Sequence, residues 1–328
     1  MENKLYTQAE TAALIKQGKL LIIAGAEVLL AGLPDGYWIG GSNPYLLGKD
    51  GGMYSEELLY VKDLTNLAAD YNMCAYDSTD IGNITTDAFE NSLIIAILPA
   101  HSKVLEEFAI RSPEFENQFI NPLLGWISGS KFEEMGYALP TTYLGSRKFT
   151  DKGVALHIKL PANKVGRIEI INPYEQGNGD EVTFEQDGFS ISDCFVNGVR
   201  TNFYNYMHKR DDLFLPLVAD YAGAKINVAV MMDDQNKRVK FFAPVFRDTL
   251  YKIAKPVQTD YIHFLSDKLQ REGKSRIEYS YSCLYNYFNF ALEKKPIPGL
   301  VGTFTFGEIG YQLLNVTFVY LVIQDRLS

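Results

Sequence analysis

Apolar residues recur along the chain at two spacings, and each spacing predicts its own kind of element. The continuous run Leu20-Leu21-Ile22-Ile23-Ala24-Gly25-Ala26 makes Lys19–Ala26 a strand. Just before it, Ala12, Ala13 and Ile15 fall at helical spacing behind Thr7, whose hydroxyl suits an N-cap, so Gln8–Gln17 is predicted as a helix. A second short apolar stretch, Glu27–Gly32, runs into the turn Leu33-Pro34-Asp35-Gly36, where Pro fixes φ and Gly accepts a positive one. Trp38-Ile39 then reads as an aromatic strand ending in a Gly40-Gly41 loop. Ser92–Leu98 is a buried strand, Ser102–Ala109 an amphipathic helix, and Asn121–Gly129 again apolar, aromatic and punctuated by glycine. Two-residue alternation dominates from Val154 to Phe189 and predicts strands. Farther on, Ile226–Met231, the turn Asp233–Asn236 and Val239–Ala243 form a hairpin pattern. Helices are expected over Thr259–Lys268 and Leu284–Leu292, and closing strands over Thr303–Phe306 and Val316–Ile323.

These elements predict an α+β fold in two halves, each a largely antiparallel, extended sheet covered by helices. The boundary is placed near Tyr206, between residues 1–206 and 207–328. No repeat with a period of 20–50 residues is visible. A looser echo is present: an aromatic strand running into glycine recurs at Trp38–Gly41, Gly125–Gly129 and Phe304–Gly307.

Composition narrows the function classes. The net charge of −9 disfavours a nucleic-acid partner, because tracking phosphates requires clustered Lys and Arg. Three widely spaced cysteines, Cys74, Cys194 and Cys283, offer neither a metal-ligand spacing nor an even disulfide framework. With only 4 histidines, neither a metal centre nor a cofactor is expected. The first residues lack the pattern of a secretory leader, and no apolar run approaches the length that spans a bilayer. A cytoplasmic protein is therefore expected.

The sharpest motif is Gly302-Thr303-Phe304-Thr305-Phe306-Gly307-Glu308-Ile309, followed by Leu314-Asn315-Val316-Thr317. Alternating Thr and Phe place both rings on one strand face and both hydroxyls on the other. Glu308 follows the strand end, where a carboxylate either reads a ligand or satisfies buried backbone donors. Gly40-Gly41-Ser42 offers backbone amides to an anion or simply makes a turn. Trp126 offers an aromatic wall, and Arg247 a planar fork for a carboxylate. No GxSxG, HExxH or triad order is present, so no catalytic residue is assigned.

Phe306-Gly307-Glu308-Ile309, the Asn315-x-Thr317 that follows and the upstream Ser282-Cys283 together resemble the close of the FIST sensory-domain family. Trp38-Ile39-Gly40-Gly41-Ser42 looks like that family's Gly-Cys-Ser/Thr loop with glycine in place of cysteine. The resemblance implies a divergent FIST-like sensor. Such a protein would bind a small molecule, for example an amino-acid-like metabolite, in a cleft between its halves. Trp38, Gly40, Gly41, Ser42, Trp126, Arg247, Cys283, Phe306, Glu308 and Asn315 are the expected contacts. The bound state would be signalled through a protein partner or a homo-oligomer. Two alternatives stand beside this reading: an enzyme with Cys283 as nucleophile, and an interaction protein without a ligand.

Overall fold

In the computed structural model, which describes residues 4–135, 137–210, 215–221, 224–257, 260–271 and 277–326, the chain follows one course three times. After helix α1 (Gln8–Lys16), the first unit starts with β1 (Leu21–Gly25), helix α2 (Glu27–Ala31) and β2 (Trp38–Ser42), which lies parallel beside β1. A hairpin of β3 (Tyr45–Gly48) and β4 (Gly51–Tyr54) follows. The chain returns antiparallel to β1 as β5 (Leu58–Asp63) and leaves as β6 (Asp70–Tyr76).

The second unit repeats this with β7 (Ser92–Pro99), helix α3 (Lys103–Arg111) and the parallel β8 (Leu123–Ser128). Its hairpin is β9 (Thr142–Leu144) and β10 (Arg147–Phe149), its return strand β11 (Gly153–Lys159) and its leaving strand β12 (Lys164–Ile171). The third unit holds β13 (Ile277–Cys283), helix α4 (Leu284–Asn289) and the parallel β14 (Gly302–Thr305). It continues with the hairpin β15 (Glu308–Gly310) and β16 (Gln312–Leu314) and returns as β17 (Phe318–Asp325).

Each hairpin is given to another unit. The first pairs with β14, the second with β2 and the third with β8. The leaving strands are exchanged as well: β6 pairs with β11 and β12 with β17. Three six-stranded sheets with one shared strand order result. The edge that a leaving strand would occupy in the first sheet is taken by the two-residue strand Tyr6–Thr7.

Between β12 and β13 lies an insertion. It carries a second kind of six-stranded sheet (Val182–Thr183, Asp193–Val196, Val199–Asn202, Leu217–Tyr221, Ala224–Val228, Tyr251–Ile253) and a three-stranded one (Gly188–Ser190, Val230–Asp233, Arg238–Val245). The same stretch of chain also carries two helices, Phe203–Met207 and Tyr261–Arg271.

This architecture corrects the expected fold class. Strands hold 44% of the described residues and helices 18%, so helices are too few to cover two separate sheets. Strands from early and late in the chain share sheets, because an antiparallel hairpin needs only a free sheet edge and not a neighbour in sequence. The sheets are also mixed: every unit joins its first two strands through a helical crossover, which makes them parallel. A strand sheltered on both faces reads as continuous apolar sequence, as β1 and β7 do.

Local signals decided several elements. Thr7 caps α1 in a capping box with Glu10, and Ser102 caps α3. The short apolar stretch that begins at Glu27 is a helix. Thr259 and the first three residues, on which some expectations fell, lie outside the described residues.

The second strands of the three units converge. Gly41 of β2 faces the second sheet so closely that a Cβ there would stand 2.7 Å from Ile97 Cγ2 and 2.9 Å from Ser128 Cβ. The Gly129 amide donates to the Ser42 carbonyl at 2.8 Å, and the Ile127 amide to the Gly307 carbonyl at 2.9 Å. Asn43 Nδ2 donates to the Phe304 carbonyl at 2.6 Å. Trp38, Trp126, Tyr281 and Phe304 are all fully buried. Each such side chain contributes on the order of 1.5–3 kcal/mol by leaving water.

Candidate functional site

The ends of β13 and β14 open onto a cavity of about 640 Å³. Cys283, Leu284 and Tyr285 line it where β13 turns into α4, with Phe288 and Asn289 farther along that helix. Thr305 and Phe306 line it from the end of β14, and Phe132 and Met135 from the loop after β8. The insertion walls another side with Ala229, Val230, Met231, Met232 and Phe242. The lining is aromatic and thioether-rich, with few polar atoms among the described residues, as in sites that enclose an apolar ligand body.

Behind Cys283 and Thr305 lies Glu308, with none of its surface exposed. Its Oε2 accepts from the Thr317 amide at 3.0 Å and from the Thr317 hydroxyl at 2.8 Å. Its Oε1 lies 3.5 Å from Thr305 Oγ1, and Cys283 stands beside the carboxylate. Burial pushes the Glu308 carboxyl up to about 8, against the pull of the Thr317, Cys283 and Thr305 bonds. Burial, reinforced by Glu308, also drives the Cys283 thiol well above its ordinary value. Cys283 is therefore a protonated thiol at neutral pH and a poor nucleophile.

Asn315 fastens the insertion to this floor. Its Oδ1 accepts from the Ala229 amide at 3.2 Å, and its Nδ2 donates to the Phe242 carbonyl at 3.3 Å. Its own carbonyl accepts from Asn227 Nδ2 at 3.2 Å. Cys283, Phe306, Glu308 and Asn315, spread over more than thirty residues of sequence, thus meet at one place.

The other expected contacts lie elsewhere. Gly40 and Gly41 are inside β2, between β1 and β9, with their amides in the sheet ladders and not in an anion-binding loop. Glycine is needed at Gly41 for the close approach of two sheets. Trp38 is buried against Tyr143, with its indole N–H on the Pro34 carbonyl. Trp126 is buried within β8. Arg247 is a surface side chain beside Asp248. Ser42 borders a separate cleft of about 560 Å³, with Glu27, Gly129, Thr141 and Lys148 on its walls. That cleft occupies the place in the first unit that the large cavity occupies in the third: the start of the crossover helix and the end of the second strand.

None of the four histidines lines either cavity. His157 is buried against Tyr76 at 3.0 Å, where burial lowers it to about 4. Among the described residues no group of three or more His, Cys, Asp or Glu is placed to hold a metal ion.

Met231, Met232, Phe242 and Thr317 escaped the sequence reading. Met231 and Met232 lie in a hairpin where a half-exposed apolar pair is unremarkable until the strand is seen to wall a cavity. Thr317 follows Asn315 in the motif, but its role becomes visible only with Glu308 at its amide.

Comparison with known families decides membership. The family of unknown function DUF6976 matches residues 6–324. The chain belongs to this family. The match spans the three units and the insertion of this DUF6976 chain alike, and no FIST domain matches, which overturns the FIST resemblance. The motifs behind that resemblance have a local cause here: Glu308 opens a hairpin and takes the amide of Thr317, nine residues on. No curated protein and no solved structure matches this DUF6976 chain. Among the described residues no helix is long and apolar enough to cross a membrane.

Proposed function

We propose that the chain is a non-catalytic binding protein for one small, mainly apolar molecule, enclosed between the third unit and the insertion. The observation that carries this reading is the cavity of about 640 Å³ walled by Phe132, Met231, Met232, Phe242, Phe288 and Phe306. Its volume falls in the range of about 300–1,000 Å³ common to small-molecule sites. Methionines on the Val230–Asp233 strand suit a wall that repacks around its guest. The protonated, buried Cys283 speaks against covalent chemistry there. The insertion supplies one wall of the cavity, so occupancy can be passed through it to a protein partner or a second copy. Three free cysteines fit a reducing, cytoplasmic setting.

The test is a thermal-shift titration with 1-decanol. A ligand that binds only the folded state raises the melting temperature with concentration. Wild type is expected to show such a rise, and Met231→Trp, which fills the cavity from a partly exposed position, is expected to lose it. An equal rise in both proteins would place the alcohol elsewhere and end the proposal. Cys283 is also expected to react with iodoacetamide more slowly than an unfolded thiol peptide. Faster labelling would favour the nucleophile reading instead.

A further inference from the structure

We infer that the molecule held in this cavity carries an ammonium group on its apolar body, and that Glu308 is its counter-ion. This rests on the apolar-ligand reading above and adds the charge of the head group.

Glu308 is wholly buried, and its surroundings supply hydrogen bonds but no positive charge. The titratable groups that face it are Cys283 at the end of β13, Tyr281 two residues earlier, and Tyr261 at the start of the Tyr261–Arg271 helix. None of the three becomes a cation. Among the described residues no Lys, Arg or His forms an ion pair with Glu308, and none lines the cavity. A carboxyl placed where only its neutral form is comfortable is stabilised as an anion once a cation arrives.

A cation would sit at the end of the cavity nearest Glu308. One face of Glu308 is taken by Thr317. The other looks toward Thr305 and Cys283, the two residues that separate it from the cavity. Phe306 and Tyr285 line the same end of the cavity, and aromatic faces attract cations, ammonium groups included. A carboxylate ligand would find no cation in the lining to meet it, and above about pH 8 it would stand beside an ionised Glu308. A neutral alcohol would gain at most a hydrogen bond from Glu308, and no charge pair.

The electrostatics also fix the sign of a pH effect. An alkylammonium stays charged across the neutral range, while Glu308 in the empty protein is protonated below about 8. Binding the cation must then expel the Glu308 proton. Affinity should fall as pH drops, by about tenfold per unit once the carboxyl is mostly protonated.

Titration calorimetry of the full chain with decylammonium chloride, 1-decanol and sodium decanoate, from pH 6 to pH 9, tests this. At pH 8.5 decylammonium is expected to bind wild type at least tenfold more tightly than decanol, and decanoate most weakly. Between pH 8 and pH 6 the amine should lose most of its advantage, with release rising from about half a proton per amine bound to about one, read from buffers of different ionisation enthalpy. Glu308→Gln keeps the shape and an acceptor for Thr317, and should bind decanol as before while the preference for the amine vanishes. Equal binding of amine and alcohol by wild type overturns the inference and leaves the apolar cavity standing. So does a Glu308→Gln variant that keeps the preference. Binding of neither compound, or equal binding of both by Met231→Trp, overturns the cavity reading and this inference with it. If Glu308→Gln does not fold, the pH dependence and the proton release of wild type decide alone.

Discussion

A carboxyl that titrates near 8 in the folded chain and near 4.5 in the unfolded one makes stability depend on pH in a direction opposite to the usual carboxylate. The unfolded chain gives up the Glu308 proton as pH rises past 4.5, whereas the folded chain keeps it until about 8. Between these values the folded state holds more protons, so each step up in pH favours unfolding. Glu308 thus contributes most below pH 4.5 and costs a few kcal/mol by pH 8, after which the effect levels off. Urea unfolding of the empty protein at pH 5, 6, 7 and 8 should show this decline. Glu308→Gln has no proton to lose, and its unfolding free energy should fall less over the same range. Identical slopes for the two proteins would mean that Glu308 ionises freely in place. His157 acts at the acid end: lowered to about 4, it is protonated first in the unfolded chain, and stability falls as pH drops from 6.5 toward 4.

At the scale of single elements, two features hold the site in place, the approach of neighbouring strands and the fastening of the insertion. Gly125 in β8 sits at φ +153°, its amide donates to the Tyr281 hydroxyl at 2.8 Å, and a Cβ there would lie 1.8 Å from the Ala96 carbonyl oxygen. Backbone cannot yield as a flexible side chain does, so Gly125→Ala is expected to cost at least about 3 kcal/mol. Gly198→Ala, at φ +79° with open space around it, should cost only about 1 kcal/mol. Chemical denaturation of both variants checks the contrast, and similar losses would show that β7 and β8 can part cheaply. Asn315→Ala should leave the Ala229 amide buried and unpaired, at about 1–3 kcal/mol. Hydrogen exchange should then quicken at Ala229 and Phe242 while the amides of β7 and β8 stay protected. Uniform loosening of both regions would count against the insertion as a separately held wall. Elements set by neighbours in sequence were legible in this way: α1 behind Thr7, the apolar β1, the amphipathic α3. Gly40-Gly41 was not, because a glycine that opens a turn and one that admits a facing sheet look alike until the facing Ile97 and Ser128 are known.

Over the whole molecule, the threefold course was present in the sequence only as the echo of aromatic strands running into glycine, and those three places are the three second strands. The repeat stayed hidden because its conserved part is geometry. The units start at Leu21, Ser92 and Ile277, with the insertion lengthening the last interval, and their crossover helices differ in length. The exchange of hairpins has a consequence for folding. β3 and β4 complete a sheet whose other strands come mainly from the third unit, and β15 and β16 complete the sheet of the second. No unit can close its own sheet, and contacts of such long sequence separation form late and together. A fragment of residues 1–165 retains every strand of the first sheet, yet it leaves β3 without β14 and exposes β8 where β15 should pair. It is expected to lack a fixed core, with weak near-ultraviolet circular dichroism and a poorly dispersed amide spectrum. The full chain should lose the three shared sheets in a single transition, with fluorescence and far-ultraviolet signals coincident. A well-dispersed spectrum from the fragment would mean that the first two units hold their fold alone, and that the exchanged hairpins fasten finished units instead of completing them.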